Sequence, residues 1–189
     1  ITDPFNYKGK WNSLFGNDQA IFLEIGMGKG DFIYEMAKKH PNINFVGIEK
    51  YSNVLARAIK KYPEGLANLK VINLDALQLQ DVFLQEIDTI YLNFSDPWPK
   101  VRHQSRRLTS EVFLNIYDSL FKDTKRIVMK TDNLGLFASS LVSLSNHGYI
   151  FRDVTLDLHN SDIPNVLTEY EKKFSSQGVK INYLEAVKK

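Results

Sequence analysis

Glu24-Ile25-Gly26-Met27-Gly28-Lys29-Gly30-Asp31-Phe32 is the stretch on which the fold turns. It follows the apolar run Ile21 to Ile25 and leads into a helical pattern from Asp31 to His40. Three glycines at alternating positions let the backbone turn tightly and let a ligand approach the main chain without meeting a Cβ. The same alternation of a short β-branched or aromatic run with a longer periodic stretch recurs to the end of the chain. Strands are predicted at Ile21 to Ile25, Asn44 to Ile48, Leu69 to Asn73, Thr89 to Phe94, Lys125 to Lys130, Tyr149 to Asp157 and Lys180 to Val187. Helices are predicted at Asp31 to His40, Ser52 to Tyr62, Gln78 to Gln85, Ser110 to Phe121, Asn133 to Ser145 and Val166 to Ser176. In the fourth of these, Val112, Phe113, Ile116, Tyr117 and Leu120 have the spacing of one apolar stripe. The pattern is that of an α/β protein with a parallel sheet of seven strands.

The 189 residues carry 24 Lys and Arg against 22 Asp and Glu, a net charge of only +2, so binding to a polyanion requires a local basic cluster. There is no cysteine, which removes thiolate metal sites and thiol nucleophiles. The four histidines, His40, His103, His147 and His159, have no ligand-like spacing, so no metal is expected. One domain is expected over 1–189, with residues 1–20 as a lead-in and the polar segment 158–178 decorating the sheet edge as a flap. No run is long and apolar enough for a membrane span and no signal segment is recognisable, so a cytoplasmic protein is expected. The first residue is Ile and not Met, so a natural N-terminus that has been cut back or is missing is expected. Oligomeric state is not legible.

In open α/β sheets ligands bind at the carboxyl ends of the strands. A dinucleotide fingerprint would need a third glycine at position 31, where the chain has Asp31, and the Gly-Lys-Ser/Thr ending of a phosphate loop is absent. An acid beside the turn also disfavours a pyrophosphate there. S-adenosylmethionine, with a sulfonium and an ammonium, fits. Glu49 closes the second strand where a carboxylate accepts from both ribose hydroxyls, and Asp75, before Ala76, closes the third where it accepts from an adenine amine. Each acid taken singly is equally well a helix cap or a surface acid; three in register at consecutive strand ends favour the cofactor.

The fourth strand ends in Asn93-Phe94-Ser95-Asp96-Pro97-Trp98-Pro99-Lys100. Two prolines fix φ and withhold two N–H donors, so a rigid loop is expected to present Asp96 and Trp98. The alternative is a stiff turn with a buried Trp. Lys100-Val101-Arg102-His103-Gln104-Ser105-Arg106-Arg107 follows, the one concentrated basic run. Its place beside a strand end favours phosphate contact over a merely solvated face.

Taken together, the segments Glu24 to Gly30, Gly47-Ile48-Glu49, Asp75-Ala76, Asp96 to Lys100 with Arg102-His103 and Arg106-Arg107, Lys130-Thr131-Asp132-Asn133 and Thr168 to Phe174 resemble, in order, the bacterial tRNA (guanine-N7-)-methyltransferase family. Tyr7 to Asn12 and Phe15-Gly16-Asn17 resemble its lead-in, whereas its usual basic N-terminal extension does not appear in the sequence. The resemblance implies a Rossmann-like class I S-adenosylmethionine-dependent methyltransferase fold with a mostly parallel sheet. It implies methyl transfer to N7 of guanine 46 in the tRNA variable loop. It places Glu24, Gly26, Gly28, Gly30, Glu49, Asp75, Ala76 and Asp96 at the cofactor, with Asp96 at the reaction centre. Lys100, Asp132, Thr168, Glu169, Tyr170 and Glu171 would contact substrate, and Arg102, His103, Arg106 and Arg107 the RNA. Asp132 also reads as a helix cap and Thr168 with Glu171 as a capping box. Competing readings are an exocyclic-amine methyltransferase, whose Asp/Asn-Pro-Pro-aromatic order differs from Asp96-Pro97-Trp98-Pro99, a small-molecule methyltransferase, and a non-catalytic RNA-binding module.

Overall fold

A computed structural model of the chain describes residues 1–174 and 177–189. Seven strands, β1 (Ile21–Ile25), β2 (Asn44–Glu49), β3 (Leu69–Asn73), β4 (Thr89–Asn93), β5 (Lys125–Thr131), β6 (Ile150–Thr155) and β7 (Asn182–Lys188), form one sheet. Its order is β3-β2-β1-β4-β5-β7-β6. The first five strands are parallel, and β7 enters antiparallel between β5 and β6. The α-helices are α1 (Trp11–Phe15), α2 (Asp31–Lys39), α3 (Ser52–Lys61), α4 (Leu79–Val82), α5 (Glu111–Asp118), α6 (Leu134–Asn146) and α7 (Glu169–Phe174).

Because the central strands are covered on both faces, alternate residues feed two separate cores. Ile21, Leu23, Ile25, Ile90, Leu92, Ile127 and Met129 join Leu79, Phe113, Tyr117 and Phe137 on one face. Phe45, Tyr91, Val128 and Tyr183 join Phe32, Ile33, Met36 and Leu55 on the other. The strand order reverses between β1 and β4, since one half of the sheet grows from β1 toward β3 and the other from β4 outward. That crevice is where a bound ligand is expected.

Several expectations needed adjustment. Of the predicted stripe, Phe113, Ile116, Tyr117 and, just past α5, Leu120 join the core together with Leu114, while Val112 is 45% exposed. The predicted Gln78 to Gln85 helix is a 3₁₀ turn at Ala76–Gln78 plus the short α4, because Phe83 is extended and Gln85 takes φ 49°. Helix α7 starts only at Glu169, and residues 175 and 176 of the predicted Val166 to Ser176 helix lie outside the described residues. Segment 158–166 is not at a sheet edge, for the edges are β3 and β6. Leu158, Ile163 and Val166 pack instead with Phe32, Tyr91 and Tyr183 over the central strands. Apolar spacing in that segment is too sparse to reveal which face it covers. The basic run, expected as a loop, forms a 3₁₀ helix at Val101–Arg106.

The lead-in has more structure than its composition suggests. Trp11 is fully buried, stacks on Phe83 with ring centroids 4.9 Å apart, and donates its indole N–H to the Val82 carbonyl at 2.9 Å. Glu86 accepts the backbone N–H groups of Gly9 and Trp11, fixing the entry to α1. Trp11→Phe keeps a ring in the core but strands that carbonyl. Loss of stability by about 1–3 kcal/mol is expected, seen as a lower urea midpoint at unchanged slope; an unchanged midpoint would show that the hydrogen bond contributes nothing net.

Candidate active site

At the end of β1, Gly26, Gly28 and Gly30 all take left-handed φ of 77°, 57° and 80°, which a side chain would strain. The turn is fastened to β2: Gly26 and Met27 donate to the Ile48 carbonyl, and Gly28 donates to Glu49 Oε2 at 3.0 Å. Gly47 makes room for this, since a Cβ there would collide with Met27 Sδ. Glu49 Oε1 accepts the Tyr51 N–H at 2.9 Å, so each oxygen holds one backbone donor and retains a second lone pair. Asp31 lies outside the cleft lining and pairs with Lys61 at 2.7 Å. Its charge is therefore compensated, and it weighs less against a phosphate than the sequence suggests.

Glu24 is 2% exposed. Asn93 donates to its Oε1 at 2.8 Å, while Glu24 Oε2 and Asn93 Oδ1 have no hydrogen-bond partner among the described residues. Burial pushes the Glu24 carboxyl up to about 8, against smaller opposing contributions from Asn93 and Lys130. In the free protein the carboxyl proton is the one donor the group has; a cationic donor from outside would displace it, restore the carboxylate and satisfy oxygens that have no partner among the described residues.

A cleft of about 770 Å³ opens at the carboxyl ends of β1 to β4. Ile25, Gly26, Glu49, Asp75, Ala76, Asn93, Asp96, Trp98 and Arg106 are among the residues on its walls. Asp75 does two things at once: Oδ1 caps the 3₁₀ turn through the Leu77 N–H at 3.0 Å, and Oδ2 pairs with Lys50 at 2.7 Å. Burial raises its pKa, but Lys50 and the Leu77 N–H outweigh burial and hold it below the usual range.

The loop after β4 is held in a strained shape. Phe94 and Trp98, neither of them glycine, have φ of 50° and 42°. Arg107 pins the loop by donating from Nε to the Pro97 carbonyl at 3.0 Å and from Nη2 to the Trp98 carbonyl at 3.1 Å. Arg106 lies over the Trp98 ring at 5.0 Å and His103 meets that ring edge-on. Asp96, Lys100 and Arg102 are exposed, and Asp96 has no ion-pair partner among the described residues.

Outside the cleft lining, behind Phe94, Asn133 and not Asp132 caps α6, accepting the Leu136 N–H at 2.8 Å. Asp132 is free for another task, and its Oδ2 accepts the Tyr170 hydroxyl at 2.7 Å. The Tyr170 ring stacks on Phe94 at 4.5 Å, so the ends of β4 and β5 meet on α7. Thr168 and Glu171 close a reciprocal capping box at 3.1 and 2.9 Å. Glu171 is fully buried and also bonds Lys130 at 2.7 Å, Asn165 at 2.8 Å and His159 at 3.1 Å. Glu169 is exposed and pairs with Lys29 of the glycine turn at 2.7 Å. Phe94 and the buried polar residues Asn93 and Lys130 escape sequence reading as site residues. Only the polarity of Asn93 and Lys130 at the ends of apolar strands hinted at them.

Among the described residues no acidic or histidine cluster suits a metal, and no helix is long and apolar enough to cross a membrane. The family model Methyltransf_4, described as "Putative methyltransferase", matches residues 18–184. The tRNA (guanine-N(7)-)-methyltransferase of Geobacillus sp. (strain WCH70) is 53% identical over 184 residues, 96% of this chain and 84% of that protein. The protein of the same name from Bacillus subtilis (strain 168) is 50% identical over 181 residues, 94% of this chain and 85% of that one. Among solved structures, the 16S rRNA methyltransferase KamB superimposes with a TM-score of 0.69 at 14% identity, over 95% of this chain and 92% of that one. An antibiotic-related methyltransferase gives 0.66 at 20% identity with the same coverage. These structures share the fold, a Rossmann-like sheet of the class I methyltransferase kind.

The raised Glu24 carboxyl makes stability depend on pH. Between its ordinary 4.5 and about 8 the folded state binds a proton that the unfolded state has lost, so stability falls as pH rises through this window. Glu24→Gln is expected to abolish that fall, by up to about 1 kcal/mol per pH unit relative to the parent. Urea unfolding from pH 5 to 8.5 without ligand checks it; parallel profiles would mean that Glu24 is ionised in the free protein.

Proposed function

Since the chain belongs to the tRNA (guanine-N(7)-)-methyltransferase family, we propose that it moves the methyl group of S-adenosylmethionine to N7 of guanine 46 in the tRNA variable loop. The observation that carries this reading is one cleft whose walls join Glu49 and Asp75, at the ends of β2 and β3, to a Pro-fixed loop that carries Asp96 and is backed by Arg106 and Arg107.

The residues fit the cofactor. Glu24 Oε2 and Asn93 Oδ1, acceptors without a donor among the described residues, suit an ammonium group. Glu49 keeps one lone pair on each oxygen for a pair of ribose hydroxyls. Asp75 and Ala76 line the cleft where adenine would lie, Gly26 adds no side chain to its wall, and Gly28 and Gly30 permit the left-handed turn that brings it there. When bound, S-adenosylmethionine supplies an electrophilic methyl on a sulfonium.

Guanine N7 carries an in-plane lone pair and no proton, so the protein's task is positioning rather than proton removal. The product base is cationic. A carboxylate accepting from guanine N1–H and its exocyclic amine both holds the base and stabilises that charge. Asp96 is exposed at the cleft, where its charge has no ion-pair partner among the described residues. Asp132, steadied by Tyr170, keeps its second oxygen for a base that reaches past Phe94. Thr168 and Glu171 act beneath the surface by setting α7, which presents Tyr170 and Glu169. Lys100, Arg102, His103 and Arg106 form the RNA-facing strip, and Arg107 shapes the loop from behind.

Incubating unmodified tRNA with the protein and S-adenosylmethionine, then digesting to nucleosides and mapping the modified position, is the decisive assay. Expected is 7-methylguanosine at position 46; methylation on an exocyclic amine or at another position would refute the assignment. In single-turnover reactions at saturating cofactor and tRNA, Asp96→Asn should slow methyl transfer by on the order of 10²-fold with little change in tRNA affinity. Near-normal turnover would leave Asp132 as the residue holding the guanine. The pair Arg102→Ala with Arg106→Ala should lower the salt slope of tRNA binding by about two, whereas Arg107→Ala should reduce turnover and leave the slope nearly unchanged. An equal loss of slope in Arg107→Ala would place Arg107 on the RNA.

A further inference from the structure

Glu24, Asn93 and Lys130 stand side by side on three neighbouring strands. Asn93 is in register with Lys130 across β4 and β5, and its amide reaches back to Glu24 on β1 at 2.8 Å. All three lie on the sheet face toward α2, because Phe22, Tyr91 and Val128, two residues earlier on the same strands, belong to the core on that face. Lys130 continues the row. Its ammonium is 3% exposed and donates to Glu171 Oε2 at 2.7 Å, the Val166 carbonyl at 2.9 Å and Asn165 Oδ1 at 3.1 Å. It also sits over the Phe32 ring at 4.9 Å. Glu171 passes the connection to α7 through its capping box with Thr168.

The row thus begins at two idle acceptors beside the cofactor cleft and ends at the helix that carries Tyr170 and Glu169. Lys130 serves both ends, since its positive charge acts on Glu171 and on Glu24. When Glu24 is neutral, Lys130 faces one buried anion. When a cation at Oε2 returns Glu24 to the carboxylate, its proton leaving to solvent, Lys130 feels a second anion through space as well as the Glu171 it touches. A buried cation attracted by two anions is held more firmly than one attracted by a single anion, and electrostatics are strong at such depth. The backbone adds a second tie, because Phe94 donates to the Lys130 carbonyl at 2.8 Å and its ring stacks on Tyr170.

We propose that Lys130 is a positioning residue that couples occupation of the cofactor end of the cleft to the ordering of α7, and so to the grip on the guanine. This rests on the cofactor reading above. By linkage the effect is reciprocal, each ligand tightening the other. No metal, proton relay or new bond is involved; a fixed cation transmits the charge state of Glu24 to the capping box of α7.

Amide hydrogen exchange with S-adenosylhomocysteine, which retains the amino group and ribose and carries no methyl to lose, reads the coupling directly. The amides of Thr168, Glu171 and Lys172 are compared with those of β1, which report global opening. In the parent protein, saturating ligand should slow exchange at the α7 amides by about tenfold beyond any change in β1. Lys130→Met should still bind the ligand by calorimetry but lose the α7-specific slowing, and Lys130→Arg should restore at least part of it. Should Lys130→Met fail to fold, Glu24→Gln breaks the row at the other end and should show the same loss at saturating ligand. An α7 that ignores ligand in the parent, or a full response in Lys130→Met or in Glu24→Gln, overturns the coupling while leaving the cofactor assignment standing. Failure of the ligand to bind the parent overturns both.

Discussion

Glu49 is the residue on which the cleft edge of the sheet depends. One carboxylate oxygen takes the Gly28 N–H and the other the Tyr51 N–H, while its backbone carbonyl accepts from Leu74 and from the Asn73 side chain. The ends of β1, β2 and β3 are thereby tied to one residue, β1 through its side chain and β3 through its backbone carbonyl, and the glycine turn cannot drift from β2. A single-acceptor side chain could not bond both N–H groups in this arrangement. The same carboxylate faces the cleft, so the group that builds the edge is also available to a ligand. A structural role leaves room for the binding role proposed above, and Asp75 repeats the point by capping a turn within the wall it contributes to.

The second half of the cleft is organised by strain rather than by ties. Left-handed φ at Phe94 and Trp98 costs on the order of 1–3 kcal/mol each. Arg107 offsets part of this with two hydrogen bonds to loop carbonyls, and Tyr170 offsets more by stacking on Phe94. A loop fixed in this way holds Asp96 at a set place in the cleft without relying on ligand to shape it, which is the requirement of a reaction governed by alignment. Adjacent arginines in the basic run have consequently separated tasks, Arg107 gripping backbone and Arg106 covering an indole face.

Much of this was legible in advance because the relevant signals are local. The strand at Ile21–Ile25, the glycine turn and the start of α2 at Asp31 follow from backbone chemistry that leaves a mark in adjacent residues. Boundaries were less legible where long-range partners decide them. The capping role fell to Asn133 and not Asp132 because Tyr170, 38 residues along, engages the Asp132 side chain. Val112 fits an apolar stripe by spacing yet lies at the cleft wall, since a helix at the rim of a sheet cannot bury its whole face.

The sequence by itself determined the alternation of strands and helices, the glycine turn, the acids at successive strand ends and the proline-fixed loop with its basic follow-on, because each is written in neighbouring residues through periodicity and φ preference. Only the tertiary structure decided that β7 inserts between β5 and β6, that segment 158–166 covers central strands, that Asp31 is neutralised by Lys61, and that Glu171 is a buried hub. It alone brought Glu24, Asn93 and Lys130 into one row, since strands distant in sequence become neighbours only when the sheet closes its register. Burial then changed what those side chains are: Glu24 reads as an ordinary acid in the chain, but desolvation in the folded protein holds its carboxyl near 8.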